Sequence, residues 1–184
     1  RLVLLADVSD AAVVSQYERL RSRLDEFACL RPMPPDSLHV TVKPLKGEFA
    51  RSTGGSLPTG AGAPSVERGA GGAATIAEAV ASFEPFEVAF PRFNLFPDVV
   101  YAEVDDGGRL EELNRALCRL PGTTTLDRDR ENFVPHLTLG YLAGSEEYRD
   151  LLGFLERNRE LSFPTLLVDR LELVSYGATD DGRP

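Results

Sequence analysis

Phe133-Val134-Pro135-His136-Leu137-Thr138-Leu139-Gly140 carries one of the two histidines in this chain, and Ser37-Leu38-His39-Val40-Thr41-Val42-Lys43-Pro44-Leu45 carries the other. In both, a Thr stands two places after the His and apolar residues fill the places between and beyond. With ten Thr in 184 residues, a Thr at that position after a given His is expected roughly once in twenty. Finding it after both is on the order of one in several hundred by accident. Residues i and i+2 of an extended strand share one face, and i+1 and i+3 share the other. Each phrase therefore reads as a strand that presents an imidazole and a hydroxyl together while Val40/Val42 or Leu137/Leu139 face a core.

Two such strands lining one cleft supply two acid/base groups and two hydroxyl donors. A neutral imidazole accepts a proton near pH 7 and an imidazolium gives one up, so a pair does both. Cleavage of a phosphodiester needs a base for the attacking oxygen, an acid for the leaving oxygen, and donors to the non-bridging oxygens. His39 and His136 fit the first two roles, and Thr41 and Thr138 the third.

The two H-x-T-x phrases resemble the signature of the 2H phosphoesterase superfamily, in the branch of the 2′-5′ RNA ligases and RNA 2′,3′-cyclic phosphodiesterases. The ending Leu171-Glu172-Leu173-Val174-Ser175-Tyr176-Gly177 is also similar to the last strand of that family. The resemblance implies an α+β (α/β-like) fold, bilobal and internally duplicated, with two antiparallel-rich sheets around a central cleft and helices outside. It implies one His as base and the other as acid, acting on a nucleotide or an RNA end as substrate, and reverse ligation beside hydrolysis. One departure stands out: many RNA-acting members carry Arg just after the Gly of the second phrase, where this chain has Tyr141.

Composition bounds the alternatives. A hydrophobic content of 42% indicates a globular chain, and its length suits one domain with a substantial core. No apolar run approaches the ~20 residues of a membrane span. The expectation is a soluble, cytoplasmic monomer with no membrane partner; a start at Arg1 rather than Met implies residues ahead of it. Net charge is −9, which argues against broad binding of long nucleic acid through many cationic contacts. Lys occurs only at Lys43 and Lys46, just after the first phrase, so Lys43 is a candidate for a positive cleft rim, and Tyr141 for the rim at the second phrase. Cys29 and Cys118 stand far apart without a C-x-x-C, and no H-x-x-x-H or H-x-H occurs. No metal and no cofactor are expected, which sets a metallohydrolase aside. The alternative from another class is a non-catalytic nucleotide- or RNA-binding domain of the same fold; intact His and Thr in both phrases favour an enzyme.

Along the chain, 2–8 reads as a strand, with Ser9-Asp10 as the cap of a helix whose Val13, Tyr17, Leu20, Leu24 and Phe27 recur at helical spacing. The Pro-rich 31–35 ends it and feeds the strand 38–45. Residues 50–74 hold seven of the sixteen Gly and read as a flexible Gly-rich loop within a single domain spanning 1–184. Thr75-Ile76-Ala77-Glu78 resembles a capping box opening a short helix. Phe86, Val88, Phe90, Phe93 and Leu95 predict one strand, paired through Phe96-Pro97-Asp98 with 99–104. A helix over 109–120, the strand 133–142, a helix from Ser145 and a strand over 165–175 complete the order. The two His phrases lie 97 positions apart (136 − 39), each after a helix, as an internal duplication requires.

Overall fold

In the computed structural model, residues 2–45, 55–58, 71–161 and 163–175 are described. The chain opens with β1 (Leu2–Asp7), buried from Leu2 to Ala6. The carboxylate of Asp10 then accepts the N–H of Ala12 (2.8 Å) and Val13 (3.4 Å) and starts α1 (Ala11–Leu24). Such a cap is worth about 1 kcal/mol. Val13, Tyr17 and Leu24 are buried, whereas Leu20 and Phe27 are only partly covered. The Tyr17 hydroxyl is shared between the carbonyls of Met33 (2.8 Å) and Leu139 (2.9 Å), pinning the helix to two later segments.

There follow β2 (Leu30–Pro32), a turn of 3-10 helix at Pro35–Ser37, and β3 (His39–Leu45). Most of 50–74 lies outside the described residues. Its described parts depart from a loop: β4 (Gly55–Pro58) pairs with the last strand, and α2 (Gly71–Ala81) starts four residues before Thr75. Alanine is the strongest helix former, and Ala73 and Ala74 carry the helix past the capping-box position.

The stretch expected as one strand is divided at Pro91 into β5 (Phe86–Val88) and β6 (Phe93–Phe96), since proline has no N–H for a ladder. β6 forms the expected hairpin with β7 (Val99–Glu103), which leads to α3 (Arg109–Leu117). A second 3-10 turn, Arg130–Asn132, precedes β8 (His136–Leu142). Helix α4 spans Tyr148–Arg157, later than Ser145, and buries Leu151, Phe154 and Leu155. The expected final strand is two, β9 (Leu166–Val168) and β10 (Arg170–Ser175). They part at Asp169 because β9 pairs with β5 in a small sheet of their own, while β10 joins β1 and β4.

The fold is mixed α+β with antiparallel strands. The main sheet runs β4-β10-β1-β3-β8-β7-β6, with β2 also beside β8. Its two halves meet edge to edge where Val40 of β3 pairs with Leu137 of β8. Leu2, Leu4, Ala6, Val40, Val42, Val100, Ala102, Leu137 and Leu139 belong to a single core cluster with the buried faces of the helices. Val3, Leu5, Val99 and Tyr101 are buried yet stand outside it, on the other face.

The halves repeat one pattern of pairing. β1 runs beside β3 with Asp7 opposite His39 and Leu5 opposite Thr41, and the register then skips Val42 so that Leu4 meets Lys43. β7 runs beside β8 with Glu103 opposite His136 and Tyr101 opposite Thr138, then skips Leu139 so that Val100 meets Gly140. A bulge at the same place in both phrases, each after a 3-10 turn, is the structural trace of duplication.

Candidate active site

The antiparallel register at Val40–Leu137, carried one residue either way, sets His39 opposite Thr138 and Thr41 opposite His136. Directly opposed residues of an antiparallel pair share a face. The four side chains named by the sequence therefore form a two-by-two block on the face turned away from the helices. The imidazoles occupy one diagonal and the hydroxyls the other, all half-buried.

Each imidazole is fixed by its own backbone. His39 Nδ1 lies 2.8 Å from the carbonyl of Ser37, and His136 Nδ1 lies 2.8 Å from that of Val134. A carbonyl only accepts, so Nδ1 carries the proton in both rings and the neutral tautomer has its lone pair on Nε2. The turns Pro35–Ser37 and Arg130–Asn132 place those carbonyls. Carboxylates flank the block: Asp7 accepts from Ser9 N–H (2.9 Å) and Oγ (2.8 Å), and Glu103 from Arg92 Nε (3.0 Å) and Asn94 Nδ2 (2.8 Å).

The halves differ in what surrounds each His. Phe96 and Tyr101 stack at 4.2 Å, and His136 stands edge-on to both, with centroids 5.0 Å and 5.5 Å away. In the other half the position of Tyr101 is taken by Leu5. Burial pushes the pKa of His136 below its usual 6.5; the charges of Arg128 and His39 act in the same direction, against the hydrogen bond to Val134. Burial thus favours the neutral form of His136.

Lys43 is not on the cleft rim. Strict alternation would align it with His39 and Thr41, but the bulge at Val42 inserts one residue and turns Lys43 to the side of Leu4, toward the core. There it is fully buried, ion-paired with Asp129, and donates to the carbonyl of Thr124 (2.8 Å). Asn114 of α3 joins them, donating to Asp129 (3.1 Å) and to the carbonyl of Val42 (2.9 Å) and accepting from Arg130 N–H (2.9 Å). This hub ties the first His strand to the segment leading into the second. Tyr141 is half-buried, between Val99 of β7 and Arg31 of β2, and packs in part on the core. Cys29 and Cys118 are buried, and burial pushes both thiols up, away from a nucleophilic thiolate. Among the described residues, no three His, Cys, Asp or Glu side chains stand close enough to hold a metal ion, and no helix is long and apolar enough to cross a membrane.

Asp7, Glu103, Phe96 and Tyr101 were not singled out by the sequence. Asp7 and Glu103 do share a signal, an acid closing an otherwise apolar strand, though only pairing with a His strand gives it meaning.

A fold of this topology with paired H-x-T strands defines a class, and the chain belongs to it: the family model of the 2′-5′ RNA ligase superfamily matches residues 10–180. Among solved structures, the chain is similar to TT0787 of Thermus thermophilus, with a TM-score of 0.59 at 19% identity over 99% of this chain and 91% of that one. It is also similar to the conserved protein of unknown function ATU0111 from Agrobacterium tumefaciens, with a TM-score of 0.51 at 16% identity over 91% of this chain and 80% of that one. At those identities the likeness is one of fold. No curated protein matches the chain.

Proposed function

We propose that the protein is a metal-independent phosphoesterase that opens a cyclic phosphate, or cleaves a 2′-5′ phosphodiester, of a nucleotide or RNA end. The observation that carries this is the two-by-two block. A displacement at phosphorus needs attacking and leaving oxygens roughly in line on opposite sides, and imidazoles on one diagonal flank a phosphate placed between them. Thr41 and Thr138, on the other diagonal, meet its two non-bridging oxygens.

The aromatic wall breaks the symmetry of roles. His136, whose neutral form burial favours, takes a proton from water through Nε2 as the water oxygen bonds to phosphorus. The P–O bond to the ribose breaks, and His39 in its protonated form delivers a proton to that oxygen. A product hydroxyl attacking in the reverse sense would make the same groups a ligase. Arg128, whose charge reaches His136, brings a cation to a site that has Tyr141 in place of a second-phrase Arg. A net charge of −9 suits a small or end-bound phosphate better than a long duplex.

The test is incubation of the full chain, in the presence of a chelator, with 2′,3′-cyclic nucleotides, RNA ending in a cyclic phosphate, and 2′-5′-linked dinucleotides. Conversion of a cyclic phosphate to a phosphomonoester, or scission of the dinucleotide, is expected for at least one of them. Activity absent under chelation and restored by zinc or manganese would contradict the proposal.

A further inference from the structure

Tyr101 is 5% exposed, and its hydroxyl has no hydrogen-bond partner among the described residues. The ring shares the face of Thr138, which it opposes across the ladder, and of His136 beside it. A phenol so placed without a partner is unfavourable unless water or a ligand satisfies it. The residue lies opposite Thr138 on one side and Asn94 on the other. Asn94 is already engaged with Glu103. The ring is held on both sides, stacked on Phe96 and edge-on to His136.

The two halves differ at this position. The corresponding position in the other half, opposite Thr41, is Leu5, which buries the same face and offers no donor. Resting on the phosphoesterase reading, we infer that the Tyr101 hydroxyl is a third donor to the substrate phosphate, binding the non-bridging oxygen that Thr138 also meets. Burial, with Glu103 nearby, pushes the phenol up from its ordinary value, so it stays a donor throughout the range in which imidazoles titrate. Three donors on two oxygens make the site lopsided. The phosphate is drawn toward the β7–β8 half, where its attacking water meets His136.

The experiment compares the wild-type chain with Tyr101→Phe and Tyr101→Leu, reading hydrolysis of 2′,3′-cyclic AMP and the Kd of adenosine 2′-monophosphate. Tyr101→Phe keeps the stack and removes only the oxygen. kcat/KM should fall about 10- to 100-fold, chiefly in kcat because charge on the phosphate oxygens grows toward the transition state. The pH profile should keep its shape, and Kd should rise. Tyr101→Leu, which copies the other half, should lose at least as much. A structural ring alone predicts a Tyr101→Phe variant equal to wild type in both readouts, and that result would overturn the inference. Were the wild type to bind the monophosphate without turning over the cyclic nucleotide, hydrolysis would fail as a reading, while weaker binding by Tyr101→Phe would still uphold the contact.

Discussion

Replacing Lys43 by Met removes the cation from a pair whose side chains are 0% and 1% exposed. The Asp129 carboxylate keeps the N–H of Leu126 (2.6 Å) and the amide of Asn114 (3.1 Å) but loses its counter-charge. Removing one partner of a buried pair costs about 3–5 kcal/mol. For a domain of this length each kcal/mol moves Tm by about 2–4 °C, so a drop of roughly 6–20 °C follows. The dependence on pH has a definite sign. Burial alone would raise the pKa of Asp129, but hydrogen bonds from Lys43, Leu126 and Asn114 and the charge of Lys43 hold it below 3.8. Its stabilisation is therefore present above the unfolded value of about 3.9 and is lost as pH falls through the folded one. In the variant the unpaired carboxylate shifts the other way, so the deficit should be full at neutral pH and shrink toward pH ~4. Urea melts at both pH values measure it. A deficit below about 1 kcal/mol at neutral pH, or one that grows on acidification, would refute the reasoning. The double change Lys43→Met with Asp129→Leu should recover most of the loss, because two apolar side chains leave no charge to solvate.

Phe96→Ala opens one side of the His136 ring to water, and the His136 pKa should rise toward 6.5; an NMR titration that finds it unchanged or lower would remove the aromatic wall as its cause. Thr41→Ala and Thr138→Ala should each weaken transition-state binding by about 1–3 kcal/mol, seen as lower kcat/KM in a protein of unchanged Tm. Phosphate held through backbone alone would leave both variants at wild-type rates. Cys29→Ser and Cys118→Ser should lower stability without altering the pH profile, since buried, protonated thiols take no part in proton transfer; a changed profile would place a thiol in the chemistry.

The block of two His and two Thr was legible because it depends only on the two-residue period of a strand, which sequence displays directly. The same rule misplaced Lys43, since a bulge adds one residue and exchanges the faces, and nothing in Val42-Lys43 marks it. Strand ends were hidden for a related reason. Residues 165–175 read as one strand, and only their partners, β5 before Asp169 and β1 and β4 after it, divide it. The duplication is barely visible in residue identity because what is repeated is a register: an acid opposite each His and a bulge after each Thr. Phe96 read as part of a turn and Tyr101 only as one residue of the strand 99–104, and their place against His136 arises from pairing across β6, β7 and β8.

The pH dependence of kcat/KM on a 2′,3′-cyclic nucleotide, measured with chelator for wild type, His39→Ala and His136→Ala, bears most directly on two-histidine catalysis. The wild type should give a bell; with His136 as the proposed base, whose pKa burial lowers, its acid limb falls below 6.5. Each variant should lose about 10²- to 10⁴-fold in rate while remaining folded, His136→Ala without the acid limb and His39→Ala without the alkaline one. Folded variants that keep the wild-type rate and the wild-type bell would contradict the account.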